Sequence, residues 1–98
     1  MTKLHALGDF TPHLHAQFQI AGEEKLELEL TSATDYSNAQ LEQFSLIFTG
    51  PVSPCLQQRL YVLLHPQMGN VELFLVPVGP GKTGMQYEAA FSRFVEPR

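Results

Sequence analysis

The chain has 98 residues, 44% of them hydrophobic and 16% charged. That composition describes one globular domain, long enough for a modest core without metal or disulfide staples. A net charge of −4 argues against nucleic acid and anionic membranes, whose binding rests on Lys and Arg, and the six basic residues here are scattered.

The chain opens on a polar lead-in. Asp9 is placed to cap one or two helical turns over Phe10 to Leu14, with Pro12 in the first turn, where a missing N–H is tolerated. An irregular lead-in is the competing reading. From Ala16 the period becomes two: Ala16, Phe18 and Ile20 alternate with Gln17 and Gln19, the pattern of a half-buried strand. After Gly22, Leu26, Leu28 and Leu30 alternate with Glu27 and Glu29, so the first two strands form a hairpin with one apolar and one wet face.

Thr31 to Leu41 is polar and reads as a strand end and a loop. Phe44, Leu46 and Phe48 mark a third strand, stopped by Gly50 and by Pro51 and Pro54, which cannot sit in a ladder. A fourth strand covers Gln58 to His65, a turn Pro66 to Asn70, and a fifth strand Val71 to Val78. These two strands lose the clean alternation and are apolar on both faces. Pro77 fits only a strand end, an edge or a bulge. After the loop Gly79 to Gly84, a sixth strand places Tyr87, Ala89 and Phe91 inward, and Val95 to Arg98 forms a loose tail. The expected fold is all-β: a single antiparallel six-stranded meander, closed as a barrel or folded as a sandwich, with a short N-terminal helical turn. The expected core is Phe18, Ile20, Leu26, Leu28, Leu30, Phe44, Leu46, Phe48, Leu63, Leu73, Leu75, Tyr87 and Phe91.

Compartment follows from what the sequence lacks. Cys55 is the single cysteine, so no intrachain disulfide forms. The opening MTKLHALGDF has no continuous apolar run of the kind a signal peptide carries. The longest apolar runs, Leu60 to Leu64 and Leu73 to Val78, fall far short of the roughly 20 residues a membrane helix needs. These features place the protein in the cytoplasm.

The order of segments resembles a family of short bacterial proteins classed as a domain of unknown function. The resemblance runs over Asp9-Phe10, the Phe18-x-Ile20 strand, the Leu26 to Leu30 alternation, FSLIFTGP (Phe44 to Pro51), Tyr61 to Pro66, LFLVPVG (Leu73 to Gly79) and YEAAF (Tyr87 to Phe91). Members of that family sometimes sit in genes near phage-tail-collar-like proteins, and the resemblance implies neither a catalytic residue nor a substrate. His15 stands where the family pattern implies a glycine, which implies a first turn drawn differently here.

Each chemical motif has a plain structural reading beside it. Gly81-Lys82-Thr83 imitates the end of a phosphate loop, but the required glycine five residues earlier is Val76 and a strand, not a helix, follows. An exposed hairpin loop is the better reading. His13, His15, His65 and His5 offer imidazoles, yet zinc takes three or four convergent ligands and neither a Cys pair nor HExxH is present. Surface histidines, with His65 holding its turn by hydrogen bonding, fit better. Nothing near Cys55 in sequence lowers its pKa, so it reads as a structural thiol. Glu23, Glu27 and Glu29 line a solvated strand face beside Lys25, far from the apolar pocket that a catalytic carboxylate pair needs.

No cofactor or metal is therefore expected, no small-molecule ligand is identified, and the protein is not read as an enzyme. The favoured class is a structural or protein-interaction module, in a homo-oligomer or beside a larger assembly such as a phage tail. The other class is a small-ligand-binding barrel or an enzyme with an unrecognised site. The first class rests on the two-sided apolarity of the fourth and fifth strands, and Leu64, Phe74 and Val76 are the candidate partner-binding residues. Phe10 to Leu14 has the position to cover part of that second face, but five residues are too few to hide six large side chains.

Overall fold

The computed structural model describes residues 7–52 and 56–94, with backbone alone at 23–25, 93 and 94. A short helix α1 (Leu7–Phe10) and a 3-10 turn (Thr11–His13) lead into six strands: β1 (Gln17–Ile20), β2 (Glu23–Asp35), β3 (Leu41–Gly50), β4 (Arg59–His65), β5 (Gly69–Pro80) and β6 (Met85–Phe94). They form a closed antiparallel barrel in the order β1-β2-β3-β6-β5-β4. The barrel is as expected, but its order is not that of one meander. Two three-stranded meanders, β1–β2–β3 and β4–β5–β6, meet along a long β3–β6 seam and a short β1–β4 seam. Closure pairs strand edges that two separate sheets would leave open.

The long seam runs from Leu41↔Phe94 to Gly50↔Met85. Just before β6, Gly84 (φ +155) lies so close to Gly50 that a Cβ there would collide with the Gly50 carbonyl oxygen. Only glycine permits that approach.

Period-two alternation decides what fills the interior. Phe18, Leu28, Leu30, Leu46, Phe48, Leu63, Leu73, Leu75 and Tyr87 are all buried, and Phe18 meets Phe48 edge-on at 5.5 Å. Every expected core residue belongs to this core, Phe91 as a half-buried side chain packed against it. It also holds Phe10, Leu56, Tyr61, Val71 and Ala89, which alternation alone did not select.

Three local expectations are corrected. Asp9 lies within α1, two residues after its first residue, rather than ahead of the helix. Phe10 to Leu14 does not cover an outer face: Phe10 is fully buried against Phe44 (6.2 Å) and Phe91 (6.0 Å), themselves stacked at 4.4 Å, while Leu14 is exposed. The lead-in thus turns its aromatic ring inward, because three rings together remove more apolar surface from water than a ring laid outside. Finally, Thr31 to Asp35 is not a loop; β2 continues to Asp35 and β3 begins at Leu41. A bulge between Leu30 and Ser32 resets the register, and beyond it β2 pairs with β3 alone. Its side chains there are small or polar, with Thr31, Ser32 and Ala33 half-buried and Thr34 and Asp35 exposed, so the strand shows no run of large alternating apolar residues; Thr31 Oγ1 donates to the Ile47 carbonyl at 3.1 Å. Pro77 sits at a bulge, between Pro77 and Gly79.

Candidate functional site

The inner faces of β4 and β5 belong to the core through Tyr61, Leu63, Val71, Leu73 and Leu75. The residues between them point outward, since successive strand side chains alternate faces. On β4 these are Leu60, Val62 and Leu64; on β5 they are Glu72, Phe74 and Val76. Leu60 is directly opposite Phe74 in the ladder, a pair of large apolar side chains in solvent at 57% and 49% exposure. Val76 follows Phe74 on the same face about 7 Å along. Val78, the unpaired residue of the bulge, extends the surface and is 50% exposed. The other exposed large hydrophobics among the described residues, Leu14, Tyr36 and Val52, stand singly at element ends.

The structure thus brings Phe74 and Val76 together and adds Leu60 as the cross-strand partner of Phe74. Leu64 lies apart. It is half-buried near the turn end of the hairpin, opposite Asn70 and beside Gln19 of β1. Leu60 was visible in the sequence as an outer residue. What singled it out was its pairing with Phe74, which the turn geometry of the hairpin sets along with the pattern.

One carboxylate lies on this stripe and another beside it on β6. Glu72 lies on the outer face of β5 opposite Val62, and Glu88 of β6 is opposite Val76, its Oε2 accepting a 2.6 Å bond from the Ser45 hydroxyl. Around the other side, β1 shows Gln17 and Gln19, and β2 behind it shows Glu27 and Glu29. The site is therefore an apolar strip two strands wide that carries Glu72, with Glu88 on its β6 side and a polar β1 on the other.

A family model described as a domain of unknown function, DUF6916, matches residues 5–91. The chain belongs to that family. No curated protein and no solved structure matches it. The DUF6916 span takes in α1, β1 to β5 and β6 as far as Phe91, so the closed barrel, apolar strip included, is essentially the family unit.

The remaining chemical groups of this DUF6916 chain divide. His15 adopts φ +72, the left-handed backbone that glycine takes most easily, where the sequence resemblance implied a glycine. Its Nδ1 meets Glu29 Oε2 at 3.1 Å in an exposed pair, so Glu29 has a partner beyond solvent. His13 and His65 do meet: their ring centroids are 4.4 Å apart, and Phe18 lies 4.8 Å from His65. The Gln67 and Met68 amides donate to His65 Nδ1 at 3.0 and 3.2 Å, which is the turn-holding role expected of it. Desolvation, and secondarily the charge of His13, hold the His65 pKa below its ordinary value. Among the described residues no group of three or more His, Cys, Asp or Glu side chains converges as a metal site would require. Gly81 to Gly84 closes as a hairpin loop through a Gly81 N–H bond to the Gly84 carbonyl at 2.6 Å. His5, Cys55, the Glu23 and Lys25 side chains and the tail from Val95 lie outside what the structure describes. Among the described residues no helix is long and apolar enough to cross a membrane.

Proposed function

We propose that this barrel is a non-catalytic protein-interaction module, an accessory of a larger assembly, docking through the outer face of β4 and β5. The observation that carries the reading is the exposed Leu60–Phe74 pair, continued by Val76 and Val78, on strands whose inner faces are already committed to the core. The fold makes no demand for large apolar side chains there, and clustered exposed apolar surface commonly marks an interaction site. The interior supports this choice over ligand binding. It is packed with aromatic and aliphatic side chains, and among the described residues no buried side-chain polar atom lacks a hydrogen-bond partner to offer a ligand.

These carboxylates favour one kind of occupant. Two copies docked strip to strip would bring Glu72 and Glu88 toward one another in a chain already at −4. Like charges across an interface disfavour association. A different protein, with an apolar ridge and basic flanks, fits both features. The gene neighbourhood implied by the sequence resemblance makes a phage-tail-like assembly in a bacterial cytoplasm the first place to look for it.

The test is site-specific photocrosslinking in the native host with a reactive residue at position 74, and at exposed Tyr36 as control. Capture of a defined protein from position 74 alone supports the reading. Identical capture at both positions, or capture of this chain alone at position 74, overturns the heterologous partner.

A further inference from the structure

Two turns of this barrel are held by the same device built from different chemistry. In the turn before β3, Asn38 Oδ1 accepts the amides of Gln40 and Leu41, both at 2.9 Å. In the turn between β4 and β5, His65 Nδ1 accepts those of Gln67 and Met68. In both cases a side-chain acceptor at position i takes the N–H groups of i+2 and i+3, a common way for a turn to satisfy its backbone. An amide oxygen accepts at any ordinary pH. An imidazole Nδ1 accepts only while it is unprotonated.

We propose that His65 is a pH-sensitive latch: when neutral it closes the β4–β5 turn and seats His13 of the N-terminal segment, and protonation releases both. The step is a simple proton uptake. A proton from water binds Nδ1, and its lone pair is no longer offered to the Gln67 and Met68 amides, so three N–H donors then face one another. The same positive charge lies under the His13 ring, 4.4 Å away between centroids.

The surroundings supply little to offset that charge. The 3-10 turn contributes His13, and β1 contributes the apolar ring of Phe18. The turn itself contributes Pro66, Gln67 and Met68, and β5 begins with Gly69 and Asn70, all uncharged. His13 is the one charge that acts on His65 among the described residues. His15, next in the lead-in, is engaged with Glu29. A folded-state pKa below the unfolded value means the unfolded chain binds the proton more readily. The latch is then fully closed above the ordinary histidine value of 6.5 and is lost as pH falls below it toward the lower folded value.

The experiment is amide hydrogen exchange with an NMR titration of the His65 ring, on the full chain and on His65→Asn. Asparagine at 65 keeps an acceptor that does not titrate, as Asn38 shows in this molecule. In the wild type, protection at Gln67 and Met68, corrected for intrinsic rates, should fall as His65 titrates, by up to about tenfold per pH unit, the limit for one linked proton. Gln40 and Leu41 should not follow. His65→Asn should hold Gln67 and Met68 protected throughout. Protection that is flat with pH in the wild type, a His65 midpoint at or above 6.5, or the same acid loss in His65→Asn overturns the proposal. The readout concerns the turn alone, so it stands or falls independently of docking on the outer face.

Discussion

The β1–β2 and β4–β5 hairpins do the same work on the inside and opposite work on the outside. Phe18, Ile20, Leu26 and Leu28 enter the core from the first, as Tyr61, Leu63, Leu73 and Leu75 do from the second. Outward, the first shows Gln17, Gln19, Glu27 and Glu29, and the second shows Leu60, Val62, Phe74 and Val76, with Glu72 among them. A barrel strand needs one apolar face only. The first hairpin shows that this barrel accepts a fully polar outer face, so folding does not require the apolar side chains on the outer face of the second.

The comparison breaks most visibly on the inside. Phe18→Ala should cost about 3–5 kcal/mol and Leu73→Ala about 2–5 kcal/mol, read by urea denaturation, because each empties a fully packed position. A small effect in one hairpin alone would mean that its inner face has been misassigned. Outside, Phe74→Glu should cost at most about 1 kcal/mol, the scale of one cross-strand pair with Leu60. The double variant Glu27→Gln and Glu29→Gln should change stability by less than about 0.5 kcal/mol, since the His15–Glu29 pair is exposed. Melting of either outer-face variant to the extent of Phe18→Ala would contradict the division of labour.

Much of this was legible because burial in a barrel imposes a period of two. Phe18, Leu28, Phe48 and Leu75 declare their strands and their sides without reference to any partner. Strand order did not declare itself. Pairings such as Phe44↔Phe91 and Ile20↔Leu63 join segments about 45 residues apart, and no local pattern records which edge meets which. Thr31 to Asp35 was hidden for the opposite reason: its side chains are small or polar, so the strand carries no apolar alternation. Phe10 stood in a lead-in without strand alternation, so nothing local separated a core plug from a surface ring. The outer apolar face was legible as surplus hydrophobicity, and its polar and acidic neighbours became visible only once β1, β2 and β6 took their places around it. The His13–His65 contact belongs to the same class as strand order, being made across the barrel end by residues far apart in sequence.

The central claim, that the outer face of β4 and β5 serves association and the inner face serves folding, meets its most direct test in Phe74→Glu. Wild type and variant are compared for partner capture by a photocrosslinker at Leu60, at equal folded fraction. The account predicts that capture is lost while the unfolding midpoint moves by no more than a cross-strand pair allows. Capture that survives Phe74→Glu unchanged, or an unfolding shift as large as that of Phe18→Ala, would contradict it.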